Sequence, residues 1–451
     1  MRRPKNDSTK SEELPVAQAS HPRRARSPAI SGDAGGGRDA PAVPPFRGDQ
    51  RGVYNPLVKT PTLTLSSEVS DLKRSVMRDL LSLAVDPGII SLAGGLPASE
   101  LLPTAELRAC IDAVIERDGP RALQYSPPWE PLREWIAGFM RSKGIACQPD
   151  EVFLTNGAQQ GMALLSRLLL DRGQPAVIER VTFTGVQQVT AGRGAAVRLL
   201  PTDLETGADM DALEEALRQE PRPRLIILIP DFHNPLGVSL SEEKRRRAAS
   251  LAATYGVPLL EDDPYSPLRF EGRTVPPIKA FDTAGMVLYI GSFSKLIAPG
   301  IRLGWIVAPA ELATPLTVLR ESIDLESSTL MQRAVAMFLS EGRLEPHLAR
   351  LTAANRLRRD ALTAALKEHL GDIAAWTRPE GGLFVWVTLP QDIDTLECFE
   401  AALKRKVAYI PGAAFDVAGG SHNTLRLNFS NVSPERIAIA VERLAQALKG
   451  R

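Results

Sequence analysis

The chain has little cysteine and little histidine: three Cys and five His in 451 residues. Cys110, Cys147 and Cys398 stand far apart with no CxxC pair, which argues against a disulfide framework and predicts buried thiols in a reducing compartment. The scattered histidines show no metal-ligand spacing, so no metal is expected. Excess charge is missing too. A formal net charge of +1 gives no broad attraction for nucleic acid or a membrane surface. No apolar run approaches the roughly 20 residues that cross a bilayer, and the basic N-terminus has no apolar stretch behind it of the kind a secretory signal needs. These absences predict a cytoplasmic protein. What remains is globular composition, 44% hydrophobic and 24% charged, enough for one large domain and one smaller one.

Residues 1–62 are rich in Pro, Gly, Ser, Arg and Ala, and they include Gly35-Gly36-Gly37. Such a segment buries too little apolar surface to offset its ordering entropy, so it reads as a disordered tail. Ser70 to Val85 has helical spacing, with Leu72, Val76, Leu80 and Leu83 on one side. From Val152 onward the pattern alternates. Strands are predicted at Val152–Thr155, Ala176–Glu179, Ala196–Leu200, Leu225–Ile229, Val257–Leu260 and Met286–Ile290. Helices lie between them, one capped by Ser241 and burying Ala248, Leu251, Ala252 and Tyr255. This rhythm predicts an α/β fold, a mainly parallel sheet flanked by helices with ligands at the carboxyl ends of the strands. A smaller α+β part is predicted from residues 63–119 with 341–451, around a large domain of residues 120–340.

The chemistry centres on Ile290-Gly-Ser-Phe-Ser-Lys-Leu-Ile-Ala-Pro-Gly-Ile-Arg-Leu-Gly-Trp305. An enclosed lysine, Lys295, can lose its proton and attack an aldehyde. Ser292, Ser294 and Arg302 offer the donors that a phosphate needs. Two further polar groups end predicted strands: Asp231-Phe-His-Asn234-Pro-Leu-Gly237, and Asp262 with Tyr265. The junction Asn156-Gly157-Ala158-Gln159 aims free N–H groups and a helix N-terminus at one point. A lysine imine, a carboxylate for a pyridine nitrogen and donors for a ring oxygen together suit a pyridoxal-type cofactor.

With Ile90-Ser-Leu-Ala-Gly-Gly-Leu-Pro97, Leu123-Gln-Tyr-Ser126 and Leu425-Arg-Leu-Asn-Phe429, these motifs make the chain resemble the pyridoxal-phosphate-dependent aminotransferases of class I/II, fold type I. The nearest subgroup is that of kynurenine and 2-aminoadipate aminotransferases, with the aminotransferase-like half of MocR regulators. The likeness spans about Ser70 to Ala447. It implies pyridoxal 5'-phosphate as cofactor, with Lys295 as the imine lysine and Asp262, three residues before Tyr265, as the partner of the ring nitrogen. It implies Asn234 and Tyr265 as donors to the ring oxygen, and Phe183 as the stacking residue. Ser292, Ser294, Arg302 and the turn Gly157-Ala158-Gln159 become the phosphate cup. Arg426 becomes the reader of the substrate carboxylate, beside Asn234 and Gly95. Arg78 becomes a residue near the substrate side chain, and Tyr125 reaches the site of a second subunit in a homodimer. Two positions depart from the family: Ala158 lacks a hydroxyl common there, and Phe183 stands where relatives carry tyrosine. The expected reaction moves an amino group from an α-amino acid, 2-aminoadipate-like or of broad range, to a 2-oxo acid such as 2-oxoglutarate. The same cofactor also serves racemases, decarboxylases and β-lyases. A non-catalytic regulator of the MocR type would need a folded DNA-binding domain in the tail.

Overall fold

A computed structural model describes Ser66 and residues 88–450. The expectations for the tail, the Ser70–Val85 helix and Arg78 lie outside the described residues.

Seven strands form the central sheet: β1 (Val152–Thr155), β2 (Pro175–Glu179), β3 (Ala196–Leu200), β4 (Leu225–Leu228), β5 (Leu259–Asp263), β6 (Val287–Ser292) and β7 (Gly304–Val307), in the order β1-β7-β6-β5-β4-β2-β3. Strands β3, β2, β4, β5 and β6 pair in parallel, and β7 runs antiparallel to both β6 and β1. The expected mainly parallel sheet is therefore present. Strand β4 is buried throughout, as its uninterrupted apolar run requires when both faces are covered. Helices α1 (Ala158–Leu169), α2 (Thr184–Gly192), α3 (Met210–Arg218) and α4 (Glu242–Tyr255) follow β1, β2, the β3 region and β4. Ser241 caps α4 through its hydroxyl, which accepts from Lys244 N at 3.3 Å.

Two local expectations need correction. Tyr255 is half-buried, because it is the last residue of α4 and its hydroxyl accepts from Arg218. The strand expected at Val257–Leu260 runs instead over Leu259–Asp263, so the acidic triplet lies within the ladder and not beyond it. Pro258 accounts for part of the shift, since it can accept from Ile226 N but has no N–H to donate.

A second, antiparallel sheet comprises β8 (Ala375–Trp376), β9 (Phe384–Thr388), β10 (Ile410–Pro411) and β11 (Thr424–Asn428), ordered β8-β9-β11-β10. It packs with the long helix α5 (Leu344–Leu370) and the last helix α6 (Pro434–Lys449) around its own apolar core. The segment Ile90–Ser91 pairs with Val407–Ala408, and Asn428 N donates to Leu92 O. The chain just after residue 88 is thereby laid against β11, next to Arg426.

Candidate active site

Strand periodicity sorts the three consecutive acids of β5. Glu261 and Asp263 face one way. Glu261 accepts from Ile278 N at 2.7 Å and Lys279 N at 2.8 Å. Asp263 accepts from the Tyr289 hydroxyl at 2.8 Å, Ser266 N at 2.8 Å and Lys143 Nζ at 3.2 Å. Asp262 points to the other face. It is buried and its Oδ1 has no hydrogen-bond partner. Burial, with the neighbouring Asp263 charge adding to it, pushes its carboxyl up to about 7.

Asp262, Tyr265, Ser292, Ser294, Lys295 and Arg302 line one cavity. Its other walls include Asn234, Phe183, Ala158 and Gln159. Lys295 enters from the turn after β6, where Ser294 N donates to Ser292 Oγ at 3.1 Å. Its Nζ donates to Gly95 O at 2.7 Å. Burial, aided by the positive Arg426 and Arg302, brings its amine down to about 8. A free amine is the reactive form, so cofactor uptake by the apoprotein is expected to accelerate with pH and level off above about 8. Stopped-flow absorbance on mixing with pyridoxal phosphate measures this. A rate still climbing steeply at pH 10 would mean that Lys295 titrates like an ordinary lysine.

The anion end is built on Gly157, the N-cap of α1, with φ 84° and ψ 169°, a conformation almost confined to glycine. A Cβ there would meet Arg302 Nη2 at 2.9 Å. Arg302 Nη2 donates to Asn156 O at 2.8 Å, and its Nη1 lies 3.5 Å from Ser294 Oγ. The guanidinium, the serine hydroxyls and the opening N–H groups of α1 thus gather around one spot. Gly157→Ala is expected to weaken cofactor binding about ten- to hundredfold, since strain of about 1–3 kcal/mol falls on the turn and Arg302 must move. Titration of the apoprotein with pyridoxal phosphate reads this, and unchanged affinity would remove Gly157 from the cup.

Asn234 follows β4, and its Oδ1 accepts from Arg426 Nη1 at 2.8 Å. It also shares a side-chain hydrogen bond with Tyr265. Burial pushes the Tyr265 phenol up, and the Asp262 charge adds to this. Arg426 comes from β11, donates also to Ala93 O, and is fully buried; burial lowers it to about 10.

The structure therefore brings the expected residues together, directly or through one bond, with two exceptions. Tyr125 is 82% exposed and lines a separate surface cleft with Arg320 and Leu325. Arg78 is not among the described residues. Sequence reasoning missed Met162, Ile229 and Pro264, which also line the cavity. Only their position next to motif residues could have signalled them. It also missed the Lys143–Asp263–Tyr289 cluster behind Asp262, which no local pattern announces.

The donor set fits a phosphorylated pyridine aldehyde. A buried acceptor without a partner, a lysine amine of lowered basicity and a cluster of anion donors face the same cavity. Among the described residues, no group of His, Cys, Asp and Glu could hold a metal ion, and no helix is long and apolar enough to cross a membrane.

Comparison with known proteins gives the family. The family described as aminotransferase class I and II matches residues 90–444. The 2-aminoadipate transaminase of Thermus thermophilus is 38% identical over 384 residues, 84% of this chain and 95% of that one. The aromatic-amino-acid aminotransferase 1 of Thermococcus litoralis is 37% identical over 403 residues, 87% of this chain and 96% of that one. The crystal structure of the Pyrococcus horikoshii kynurenine aminotransferase, in complex with PMP, superposes with a TM-score of 0.81 at 35% identity, covering 86% of this chain and 97% of that one.

Proposed function

The chain belongs to the class I and II aminotransferase family and is a pyridoxal-phosphate-dependent aminotransferase of fold type I, and on that premise we propose that it transfers the amino group of a long or acidic α-amino acid, 2-aminoadipate-like in reach, to 2-oxoglutarate. The observation that carries the site assignment is the convergence of the unpartnered Asp262 Oδ1 and the Lys295 amine on one cavity. The likeness to a 2-aminoadipate transaminase and to an aromatic-amino-acid aminotransferase supports a long donor side chain.

Bound pyridoxal phosphate supplies an aldehyde carbon and a ring that accepts electrons from the substrate. The chain's own residues supply the rest. The unpartnered oxygen of Asp262 would hold a proton on the ring nitrogen. Lys295 Nζ takes the α-proton of the donor as general base. Asn234 and Tyr265 would donate to the ring oxygen, Phe183 would cover the ring, and Ser292, Ser294, Arg302 and the Gly157-Ala158-Gln159 turn would hold the phosphate. Arg426 orients the substrate carboxylate by the fork geometry of its guanidinium. Tyr125, exposed on one protomer, completes the site of a second protomer in a homodimer. Three buried cysteines suit a reducing cytoplasm.

A donor panel tests the substrate assignment. The holoenzyme is mixed with 2-aminoadipate, glutamate, an aromatic amino acid or alanine, and loss of its visible absorbance is timed. The longer donors are expected to exceed alanine by about ten- to hundredfold in kcat/KM, the scale set by a few buried side-chain groups. Adding 2-oxoglutarate is then expected to restore the absorbance. Preference for alanine, or recovery with pyruvate but not 2-oxoglutarate, would overturn this assignment.

A further inference from the structure

Arg426 does not sit in the site as a bare cation. Its guanidinium carbon lies 4.3 Å from the centroid of the Phe384 ring and 4.8 Å from that of Phe415. Both rings are buried, at 1% and 0% exposure. Each is braced in turn. Tyr265 meets Phe384 edge-on at 5.9 Å, and Trp386 meets Phe415 edge-on at 6.2 Å. The backbone explains how two rings from distant segments reach one arginine. Phe384 and Arg426 lie on the paired strands β9 and β11, two residues out of register, where diagonal side chains touch. Ile410 pairs directly with Arg426, and the short turn after β10 delivers Phe415.

Phe415 is also tied to the loop that carries Phe183. Its carbonyl accepts from Thr182 N at 3.0 Å and from Gln187 Nε2 at 2.9 Å. Val417 N donates to Arg180 O at 3.0 Å, and Arg180 Nε reaches Asp416 Oδ1 at 3.2 Å. Phe415 is thus pinned by its backbone independently of what its ring does.

We propose that Phe384 and Phe415 are positioning residues for substrate recognition: they clasp the Arg426 guanidinium by its faces, so that a substrate carboxylate can approach only along its N–H edge. The inference rests on the reading of Arg426 as the carboxylate reader. Aromatic faces carry negative charge and attract a guanidinium more strongly where water is excluded. The clasp therefore fixes the plane of the fork and keeps water from its faces, while the hydrogen bonds to Asn234 and Ala93 set its rotation within that plane. The donor and the 2-oxo acid both carry a carboxylate next to the reacting carbon. The clasp must serve both half-reactions equally.

The test separates ring charge from ring volume. Phe415 is replaced by 3,4,5-trifluorophenylalanine, which nearly keeps the shape but removes the negative face, and in a second protein by leucine (Phe415→Leu). The fluorinated holoenzyme is expected to show KM raised several-fold, by the same factor for amino donor and 2-oxo acid, with kcat and affinity for pyridoxal phosphate unchanged. Phe415→Leu is expected to raise both KM values about five- to thirtyfold, the range of one desolvated cation–π contact. A fluorinated enzyme with wild-type KM values would overturn the clasp, and so would a rise confined to one substrate or accompanied by loss of cofactor. Arg426→Leu is the control. If it leaves both KM values unchanged, the assignment of Arg426 itself fails. If it raises them while the ring variants do not, only the clasp fails.

Discussion

Lys295→Ala is expected to lower kcat by about 10⁴-fold or more, because in the proposed mechanism one amine serves both as the covalent attachment and as the general base. The same change is expected to abolish the visible absorbance that arises when pyridoxal phosphate joins the lysine. The apoprotein, by contrast, should stay folded. The amine is brought down from 10.5 to about 8 mainly by burial, so its charged form is held at a cost in the native state. That cost is fully present below about pH 8. It is relieved as pH rises from about 8 through 10.5, because only the unfolded chain still binds the proton there. Removing the amine at neutral pH therefore removes a penalty, and the melting temperature of the apoprotein should hold or rise. Loss of turnover with intact melting separates chemistry from unfolding. A Lys295→Ala protein that retained both turnover and the absorbance band would sink the assignment.

Lys295 was also the most legible residue of the site. A predicted strand followed by Gly291, with hydroxyls and an arginine nearby, carries its chemistry in a run of sixteen residues. Asp262 was legible through its spacing to Tyr265, although Asp263 stands beside it with the same functional group. The fold supplies what spacing cannot: alternation along β5 turns Asp263 towards Lys143 and Tyr289, and Asp262 towards the cavity. The parallel strands β2 and β4 were legible because each is an apolar run with a helix after it. The direction of β7 was not stated in the pattern, since an apolar strand reads alike in both senses. The short connection Phe293–Leu303 was the available clue, as a parallel crossover is usually longer. Pairing of Ile90–Ser91 with Val407–Ala408 could not be read locally, because two-residue strands carry no periodicity. The aromatic clasp on Arg426 was hidden for a related reason: Phe384 and Phe415 meet the arginine only after β9, β10 and β11 assemble. Arg426 itself could be found only through the family likeness, since a single arginine in an apolar strand also reads as an edge residue.

Asp262→Asn carries the second large effect. The amide keeps the volume and loses the charge, so it cannot hold a proton on a ring nitrogen. An expected fall in kcat of about 10²–10³-fold follows, the scale of removing one preorganised electrostatic partner of a developing charge. The neighbouring position is the internal control. Asp263→Asn loses charge-assisted bonds to Lys143, Ser266 and Tyr289, and is expected to act mainly on stability. Equal losses of kcat per folded molecule at 262 and 263 would mean that the two acids have been assigned to the wrong faces. The pH dependence of the apoprotein gives a second, independent check. Burial, then the Asp263 charge, raises the Asp262 carboxyl from 3.8 to about 7. Between these values the native state binds the proton and the unfolded chain does not. The resulting stability is present below about pH 4 and is lost as pH rises through about 7. The melting temperature of the apoprotein should therefore drop between about pH 4 and 7, and Asp262→Asn should flatten that drop. Saturation with pyridoxal phosphate should also flatten it, since a protonated ring nitrogen compensates the carboxylate once it ionises. A drop of the same size in wild type, Asp262→Asn and holoenzyme would show that another group titrates, and that the unpartnered oxygen of Asp262 does not face the cofactor.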